Sequence, residues 1–118
     1  MGSEMKQLIF VIACLVMAYP AKAAWTGNDL YNACSNSSRD WQLICGFWIS
    51  GFQSGVWYSQ EIARARKREP ATCIPVGVTG DQAKLVIEKY MRDHPERLQK
   101  DAGLVASYAL DEAFPCKQ

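Results

Sequence analysis

Four cysteines carry the most evident chemistry in this sequence: Cys34, Cys45, Cys73 and Cys116. Thiols can bind a metal, act as nucleophiles or pair as disulfides. The chain has no C-x-x-C pair and only one histidine, so the usual spacing of zinc ligands is absent. An even number of cysteines after an apolar N-terminal segment, in a remainder of 95 residues, favours disulfides and an oxidising compartment. We therefore expect disulfides at all four positions, no metal site and no cofactor.

Two other segments could carry catalysis, but the sequence favours structural roles for both. His94 precedes Pro95, where a histidine more often caps the preceding helix than serves as a general base. The segment Gly51-Phe52-Gln53-Ser54-Gly55 resembles a nucleophile elbow, yet it departs from G-x-S-x-G and no strand precedes it. The sequence therefore predicts a binding protein that is not an enzyme.

Residues 1–23 have the composition of a cleavable signal peptide. Lys6 supplies positive charge, Leu8 to Ala18 form an apolar run of 11 residues, and Ala21-Lys22-Ala23 is a small-residue cleavage site. The run is shorter than the roughly 20 residues that a membrane-spanning helix needs. We expect cleavage after Ala23 and a single mature domain comprising residues 24–118.

Cys14 offers an alternative interpretation of the same segment. Val11-Ile12-Ala13-Cys14 is similar to a lipoprotein cleavage box, which would make Cys14 a lipid anchor. Only six apolar residues precede Cys14, and the residues after it are still apolar, which is the wrong layout for a lipoprotein. We therefore favour export through a cleaved signal peptide, with Cys14 lost.

The charge balance indicates a protein partner rather than a nucleic acid. Removal of Lys6 and Lys22 leaves 11 of the 13 basic residues, and removal of Glu4 leaves 11 of the 12 acidic residues. The net charge of residues 24–118 is therefore zero, whereas binding to nucleic acid usually requires a basic surplus.

Hydrophobic periodicity predicts an all-α fold with four helices in the mature domain. The predicted helices are Asn28 to Cys34, Arg39 to Lys67, Gly80 to Asp93 and Pro95 to Phe114. Asn28 is the expected N-cap of the first helix, and capping boxes at Ser37–Asp40 and Thr79–Gln82 are expected to open the next two. No segment alternates convincingly at period two, so strands are not expected.

The disulfide pairing is not decided by the sequence, because four cysteines allow three pairings. A two-residue joint makes the last two helices a hairpin, which would return Cys116 towards Cys73. This geometry favours Cys73 with Cys116 and Cys34 with Cys45.

The second predicted helix carries three features that concern surfaces. Gly51 and Gly55 form a G-x-x-x-G pattern, which we expect to admit a neighbouring helix, with a homodimer contact as the alternative. Trp57 and Tyr58 are adjacent, so one ring could be exposed as an interface anchor. Four cations crowd the C-terminal end, where they suit the helix dipole or could dock an acidic partner: Arg64, Arg66, Lys67 and Arg68.

Five segments form a pattern that extends over nearly all of residues 24–118. They are Asn28–Cys34, Cys45–Gly51, Cys73–Gln82, Tyr90–Glu96 and Ala109–Cys116. The combination of C-x-P-x-x-V-T-x-x-Q, a helix that ends in His-Pro-Glu and a closing Phe-Pro-Cys is specific. In order and spacing the pattern resembles the Rap/Tai family of type VI secretion immunity proteins.

The resemblance implies a small helical fold similar to the acid-stress chaperone HdeA, located in the periplasm. It implies a protein that binds and inhibits a cell-wall amidase effector, that has no catalysis of its own and that could form a homodimer. The alternative function is an HdeA-like acid-stress chaperone or an accessory envelope binding protein. With one histidine, an acid trigger would have to come from carboxylates.

Two segments are the candidate partner-binding sites, because blocking an active-site cleft requires a rigid protruding segment with a desolvated anchor. The first is the loop from Glu69 to Val78, which two prolines and Cys73 should stiffen. The second is the turn at Asp93 and His94. In the loop, the residues expected to contact the partner are Arg68, Glu69, Thr72 and Ile74.

Overall fold

The computed structural model of this protein describes residues 2–17 and 24–117. Within these ranges the regular structure consists of five α-helices and one short 3-10 helix, Pro95–Arg97. The α-helices are α1 Gly2–Met17, α2 Gly27–Ser35, α3 Arg39–Ala65, α4 Gly80–Asp93 and α5 Ala102–Ala113. No strand forms in the described ranges beyond an isolated bridge between Thr26 and Asp101. The predicted all-α class is confirmed.

The predicted signal peptide coincides with α1 over most of its length. The cleavage site at 21–23 lies outside the described residues, so cleavage stays a prediction. Among the helices of the described ranges, none is both long enough and apolar enough to cross a membrane.

The core forms where α2, α3, α4 and α5 meet. Helix α4 contacts both α3 and α5, and α2 packs against all three. The largest side chains with no more than 2% exposure are Leu30, Ile49, Ile74, Ile87, Met91, Leu110, Val105 and Cys45. Full burial of a large aliphatic side chain stabilises a fold by about 1.5–3 kcal/mol, so this cluster holds the four helices together.

The two disulfides join elements that are separate in the chain. Cys34 is bonded to Cys45 and links α2 to α3, whereas Cys73 is bonded to Cys116 and links the loop before α4 to the segment after α5. The pairing favoured by the hairpin argument is confirmed.

Helix α4 begins where the sequence predicts. The Thr79 hydroxyl accepts the Gln82 N–H at 3.2 Å, and the Gln82 side chain accepts the Thr79 N–H at 2.9 Å. This reciprocal pair satisfies two backbone donors that have no partner within the helix. The predicted capping box at Thr79–Gln82 is confirmed.

Helices α2 and α3 begin at residues other than those predicted. The N-cap of α2 is Thr26, not Asn28, and it forms a capping box with Asp29. The N-cap of α3 is Ser38, whose hydroxyl accepts the Trp41 N–H, so the cap lies one residue later than predicted and the expected box from Ser37 to Asp40 is wrong. Thr26 is the N-cap because its hydroxyl accepts the Asp29 N–H while the Asp29 carboxylate accepts the Thr26 N–H. Asn28 cannot form such a reciprocal pair.

The predicted continuous helix from Pro95 to Phe114 is interrupted. After the 3-10 helix the chain turns, and Asp101 caps α5 by accepting the Gly103 and Leu104 N–H groups at 2.8 and 3.2 Å. The backbone carbonyls of the interrupted segment accept hydrogen bonds from α2 and do not take part in a longer α5. Gly27 N–H donates to Lys100 C=O and Asn28 N–H donates to Leu98 C=O, both at 2.8 Å.

The expectation that Gly51 and Gly55 admit a neighbouring helix is wrong within the described chain. A Cβ atom built at either position would have no neighbour within 4 Å, so nothing packs against these glycines. Both are exposed on α3.

Candidate partner-binding site

The segment between α3 and α4, residues 66–79, is a loop with a fixed conformation at each end. At its start, Lys67 adopts φ 54°, and Arg68 N–H donates to Ala63 C=O at 2.8 Å. A left-handed residue followed by a bond back to the last turn is a common way to end a helix. The chain therefore leaves α3 in a defined direction.

Gln60 is the buried polar side chain that holds the middle of the loop. Its amide oxygen accepts the Ile74 N–H at 2.7 Å, and its amide nitrogen donates to Ile74 C=O at 3.1 Å. Gln60 is 3% exposed and Ile74 is 2% exposed. Since a buried backbone group without a partner costs about 1–3 kcal/mol, this pair of bonds fixes which loop residue points into the core.

A second set of contacts ties the loop to the end of the chain. Cys73 is bonded to Cys116, and its N–H donates to Phe114 C=O at 3.0 Å. The hydroxyl of the buried Thr72 donates to the Asp111 carboxylate. Residues 72–74 are therefore anchored to α3 on one side and to the segment at α5 on the other.

The tip of the loop is a tight turn that displays Val76. The Val78 N–H donates to Pro75 C=O at 3.4 Å. Gly77 has φ 96°, a backbone conformation that favours glycine and suits the third position of a type II turn. The Gln53 amide donates to Val78 C=O at 2.8 Å and holds the far side of the turn. Val76 is 91% exposed, the highest value among the large apolar side chains of the described residues.

A groove of about 470 Å³ lies between this tip and α3. Its walls include Ser54, Trp57, Tyr58 and residues 75–78. Tyr58 is 62% exposed and meets the half-buried Trp57 edge to face, with ring centroids 5.1 Å apart. One ring of this adjacent pair is thus presented to solvent beside the loop tip, as an interface anchor would be.

The structure separates the four loop residues expected to contact a partner. Arg68 and Glu69 are exposed at the start of the loop, whereas Thr72 and Ile74 are buried. Direct contact of Thr72 or Ile74 with a partner does not fit this burial, because both side chains hold the loop from within. The sequence reasoning passed over Val76, although a valine between Pro75 and Gly77 carries the signal of an exposed turn.

The second candidate segment, at Asp93 and His94, is a polar surface cluster. The His94 ring lies 4.3 Å from the Tyr90 ring, with Nδ1 3.2 Å from Glu96 and Nε2 3.9 Å from Glu112. His94 N–H donates to Tyr90 C=O, so His94 is the C-cap of α4 as expected.

Two carboxylates of this cluster are held in the charged form. A hydrogen bond from Lys89 lowers the pKa of Asp93 below its usual value. The pKa of Glu96 is lowered first by its own backbone N–H and then by His94. The cluster offers charges for recognition, and its described side chains include no serine, threonine or cysteine nucleophile.

Among the described residues, one group of metal-ligating side-chain types comes together: Cys34, Cys45 and Glu88. Both sulfurs belong to the disulfide and are not thiolates, which are the form of cysteine that binds metals. The donor set therefore does not fit a metal ion.

The family of the chain follows from its comparison with known sequences. The sequence profile of the Rap1a immunity proteins matches residues 26–116, which include α2 to α5, all four disulfide cysteines and the loop. No curated protein matches the chain. The chain therefore belongs to the Rap1a immunity proteins.

Proposed function

We propose that this protein is a periplasmic immunity protein that binds a type VI-secreted peptidoglycan amidase and blocks its active site with the tip of the 66–79 loop. Membership in an immunity family supports an effector protein as the partner and inhibition by binding rather than by catalysis. The observation that carries the blocking mechanism is Val76, a 91% exposed apolar side chain on a turn that is fixed on both sides.

The loop has the properties that a cleft-blocking segment needs. Its conformation is already set by Gln60, the Cys73–Cys116 disulfide and the Gly77 turn, so little conformational entropy is lost on binding. An apolar anchor that enters a cleft excludes water and occupies the space that substrate requires. Arg68 and Glu69 are exposed at the loop's start, where rim charges affect the association rate more than the affinity.

The test compares Val76→Asp with Leu85→Asp. Leu85 is also apolar and 65% exposed, but it lies on α4, so the two variants change charge and polarity in the same way at different places. The probe is a panel of purified type VI amidase effectors, with peptidoglycan hydrolysis as the readout. We expect the unmodified protein and Leu85→Asp to inhibit one effector alike, and Val76→Asp to inhibit it at least about tenfold less, as for a truncated anchor.

Two outcomes would contradict the proposal. Equal inhibition by Val76→Asp and Leu85→Asp would remove the loop tip from the mechanism. Binding of an effector without loss of its hydrolytic activity would show that the bound protein leaves the active site open.

A further inference from the structure

A cleft of about 540 Å³ lies between α3, α5 and the 66–79 loop. Its walls come from one face of α3, from Ser107 and Asp111 one turn apart on α5, and from Ala71 and Thr72 of the loop. The cleft shares no lining residue with the groove beside the loop tip. Its volume is within the range of about 300–1,000 Å³ that sites for small molecules occupy. We call it the α3–α5 cleft.

The α3–α5 cleft is closed at both ends. At one end the Phe52 ring reaches the start of α5, because a Cβ built at Gly103 would lie 3.4 Å from Phe52 Cε2. At the other end the Thr72 hydroxyl donates to the Asp111 carboxylate. Gly103 and Asp111 are eight positions apart on α5, so at a rise of about 1.5 Å per residue the cleft is about 12 Å long. A ligand that lies along the cleft therefore has a defined length to fill.

Gly51 and Gly55 keep the α3 side of the cleft open. A glycine inside a helix makes that helix less stable than alanine would. Among the described residues, none comes within 4 Å of a Cβ built at either position, so close packing does not explain these glycines. Both line the cleft, and their missing side chains leave its volume free.

The end of the cleft at the loop is negatively charged. Asp111 is the one ionisable side chain among the described residues that line it, and within the described chain Asp111 has no ion pair. Its carboxylate accepts one hydrogen bond there, from Thr72. The hydroxyls of Ser59 and Ser107 also line the cleft and have no hydrogen-bond partner in the described ranges. This end therefore lacks a positive charge and hydrogen-bond donors.

The opposite end of the cleft is apolar. The Phe52 ring stacks on Trp48, with ring centroids 5.3 Å apart and ring planes 5° apart, so its position is held by a second aromatic side chain. Val56 lies one turn further along α3 and continues the apolar wall towards Asp111. A hydrocarbon chain against this wall is removed from water, which favours binding.

These features define the chemistry of a ligand. An ionised carboxylate only accepts hydrogen bonds, whereas a primary ammonium carries three donors and the compensating charge. We propose that the α3–α5 cleft binds a small primary amine with an apolar chain, its ammonium at Asp111 and its chain along Val56 and Phe52. The inference does not rest on the proposed inhibition, because the groove beside Val76 is a separate surface.

The test titrates the oxidised protein, expressed as the full chain and labelled with ¹⁵N, with n-hexylamine and follows the backbone amides by NMR. Mass spectrometry identifies the N-terminus of every preparation, so that all variants are compared with the same ends. We expect saturable shifts at positions 55, 107 and 111. The probe 1-hexanol has the same chain without the charge, so it should bind at least about tenfold less tightly.

Asp111→Asn tests the charge. The new amide oxygen still accepts the Thr72 hydroxyl, so the loop keeps this contact while the cleft loses its negative charge. We expect the affinity for n-hexylamine to fall at least about tenfold and the affinity for 1-hexanol to stay that of the parent. The control is Asp40→Asn, which removes an exposed carboxylate at the start of α3, outside the cleft, and should bind both probes like the parent.

Gly55→Leu tests the space. Its side chain would fill the cleft, and the built Cβ meets no described residue within 4 Å, so the fold should accept it. The matched control is Gly46→Leu, nine positions earlier and therefore on the opposite side of the same helix. We expect Gly55→Leu to abolish the saturable shifts and Gly46→Leu to retain them. The amides remote from each substitution report in the same spectra that the variant is folded.

A third probe separates a free amine from a lysine side chain of a protein. Nα-acetyl-lysine N-methylamide presents the same ammonium on a side chain that is attached to a peptide. Because the cleft is closed at both ends, a free amine can lie along its whole length, whereas a peptide-linked chain has to enter through the open side. We expect n-hexylamine to bind more tightly.

Four results would overturn the proposal. The first is the absence of saturable shifts at the cleft with n-hexylamine. The second is binding of n-hexylamine to Asp111→Asn as tight as to the parent, or binding of 1-hexanol as tight as that of n-hexylamine. The third is equal binding by Gly55→Leu and Gly46→Leu. The fourth is tighter binding of the peptide-linked lysine, which would assign the cleft to a protein partner.

Discussion

At the scale of single residues, the amide of Gln60 determines where the 66–79 loop can lie. It accepts a hydrogen bond from the Ile74 N–H and donates one to the Ile74 C=O, and these bonds join residues 14 positions apart. A glutamine in the middle of a helix normally faces solvent, yet here it is 3% exposed. The side chain therefore substitutes for a backbone partner that α3 cannot provide.

We predict that Gln60→Leu lowers the free energy of unfolding by about 2–4 kcal/mol, because the Ile74 N–H and C=O lose their partners in a buried site. The matched control is Gln53→Leu, which removes one bond, to Val78 C=O, at a half-buried position. The control should lose only about 1 kcal/mol. Urea unfolding followed by tryptophan fluorescence measures both, and equal losses would contradict the role given to Gln60.

The limits of sequence reasoning at this scale are clearest in the loop. Cys73 and Cys116 could be paired from the expected hairpin, because a hairpin constrains which ends meet. Val76 and Ile74 could not be told apart, since both are β-branched residues in the same loop. Ile74 is buried because Gln60 draws its backbone against α3, and that contact connects two elements rather than neighbouring residues.

At the scale of elements, the contact of α2 with the turn before α5 requires a glycine. A Cβ at Gly27 would lie 2.9 Å from Leu98 O and 3.1 Å from Val105 Cγ2. A backbone oxygen cannot move as a flexible side chain does, so added volume at this position has to displace one of the two elements.

We predict that Gly27→Ala lowers the free energy of unfolding by about 1–3 kcal/mol, the usual cost of an overpacked core. Gly46→Ala is the control: Gly46 lies in the interior of α3, whereas Gly27 is the first residue of α2, and a Cβ at Gly46 would meet nothing within 4 Å. The control should raise the free energy of unfolding by up to about 1 kcal/mol through helix propensity. Thermal unfolding should show that Gly27→Ala lowers stability and that Gly46→Ala raises it. A Gly27→Ala variant that is more stable than the parent would contradict the prediction, because it would show that the neighbouring atoms move to accommodate the added Cβ.

Elements could be predicted where their signals are local. The bounds of α4 follow from a capping box at Thr79 and from Pro95 beyond its end, and both signals lie within a few residues. The interruption between Pro95 and Ala102 has one local signal, the N-cap residue Asp101, but its other cause is remote. The carbonyls of Leu98 and Lys100 accept hydrogen bonds from α2 instead of continuing a helix. No pattern in the neighbouring residues indicates these bonds to α2.

At the scale of the whole molecule, the two disulfides hold different parts of the fold. Cys34 and Cys45 are 11 positions apart and join two consecutive helices, whereas Cys73 and Cys116 are 43 positions apart and fix the loop to the end of α5. In the chain-entropy account, closing the longer loop constrains the unfolded chain more.

We predict that Cys73→Ala/Cys116→Ala lowers the free energy of unfolding by about 4 kcal/mol and Cys34→Ala/Cys45→Ala by about 3 kcal/mol, from the entropy of the unfolded chain alone. The sharper difference concerns the loop. Amide hydrogen exchange at positions 73 and 78 should accelerate in the first double variant and stay close to that of the parent in the second. Loss of protection at these amides in both variants alike would mean that the loop depends on the whole fold rather than on its own disulfide.

The fold class and the family could be predicted from the sequence because both depend on patterns repeated over the chain. The apolar periodicity specifies helices, and the order of the cysteine, proline and glycine motifs resembles one family. The exposure of the apolar face of α3 that carries Leu43, Phe47 and Tyr58 could not be predicted, because the same apolar spacing describes a buried face and an exposed one. Only the positions of α2, α4 and α5 show which side of α3 stays uncovered.

The bonds between the start of α2 and the turn before α5 also bear on the order of folding. Gly27 and Asn28 donate to carbonyls about 70 positions further along the chain. Contacts so distant in sequence form late, because closing a long loop costs conformational entropy. That cost has to be offset by other interactions before the contacts can stabilise the fold. During synthesis, α2 cannot form these hydrogen bonds until Leu98 and Lys100 have been added near the end of the chain. We therefore expect the domain to gain its native structure in one late step rather than helix by helix.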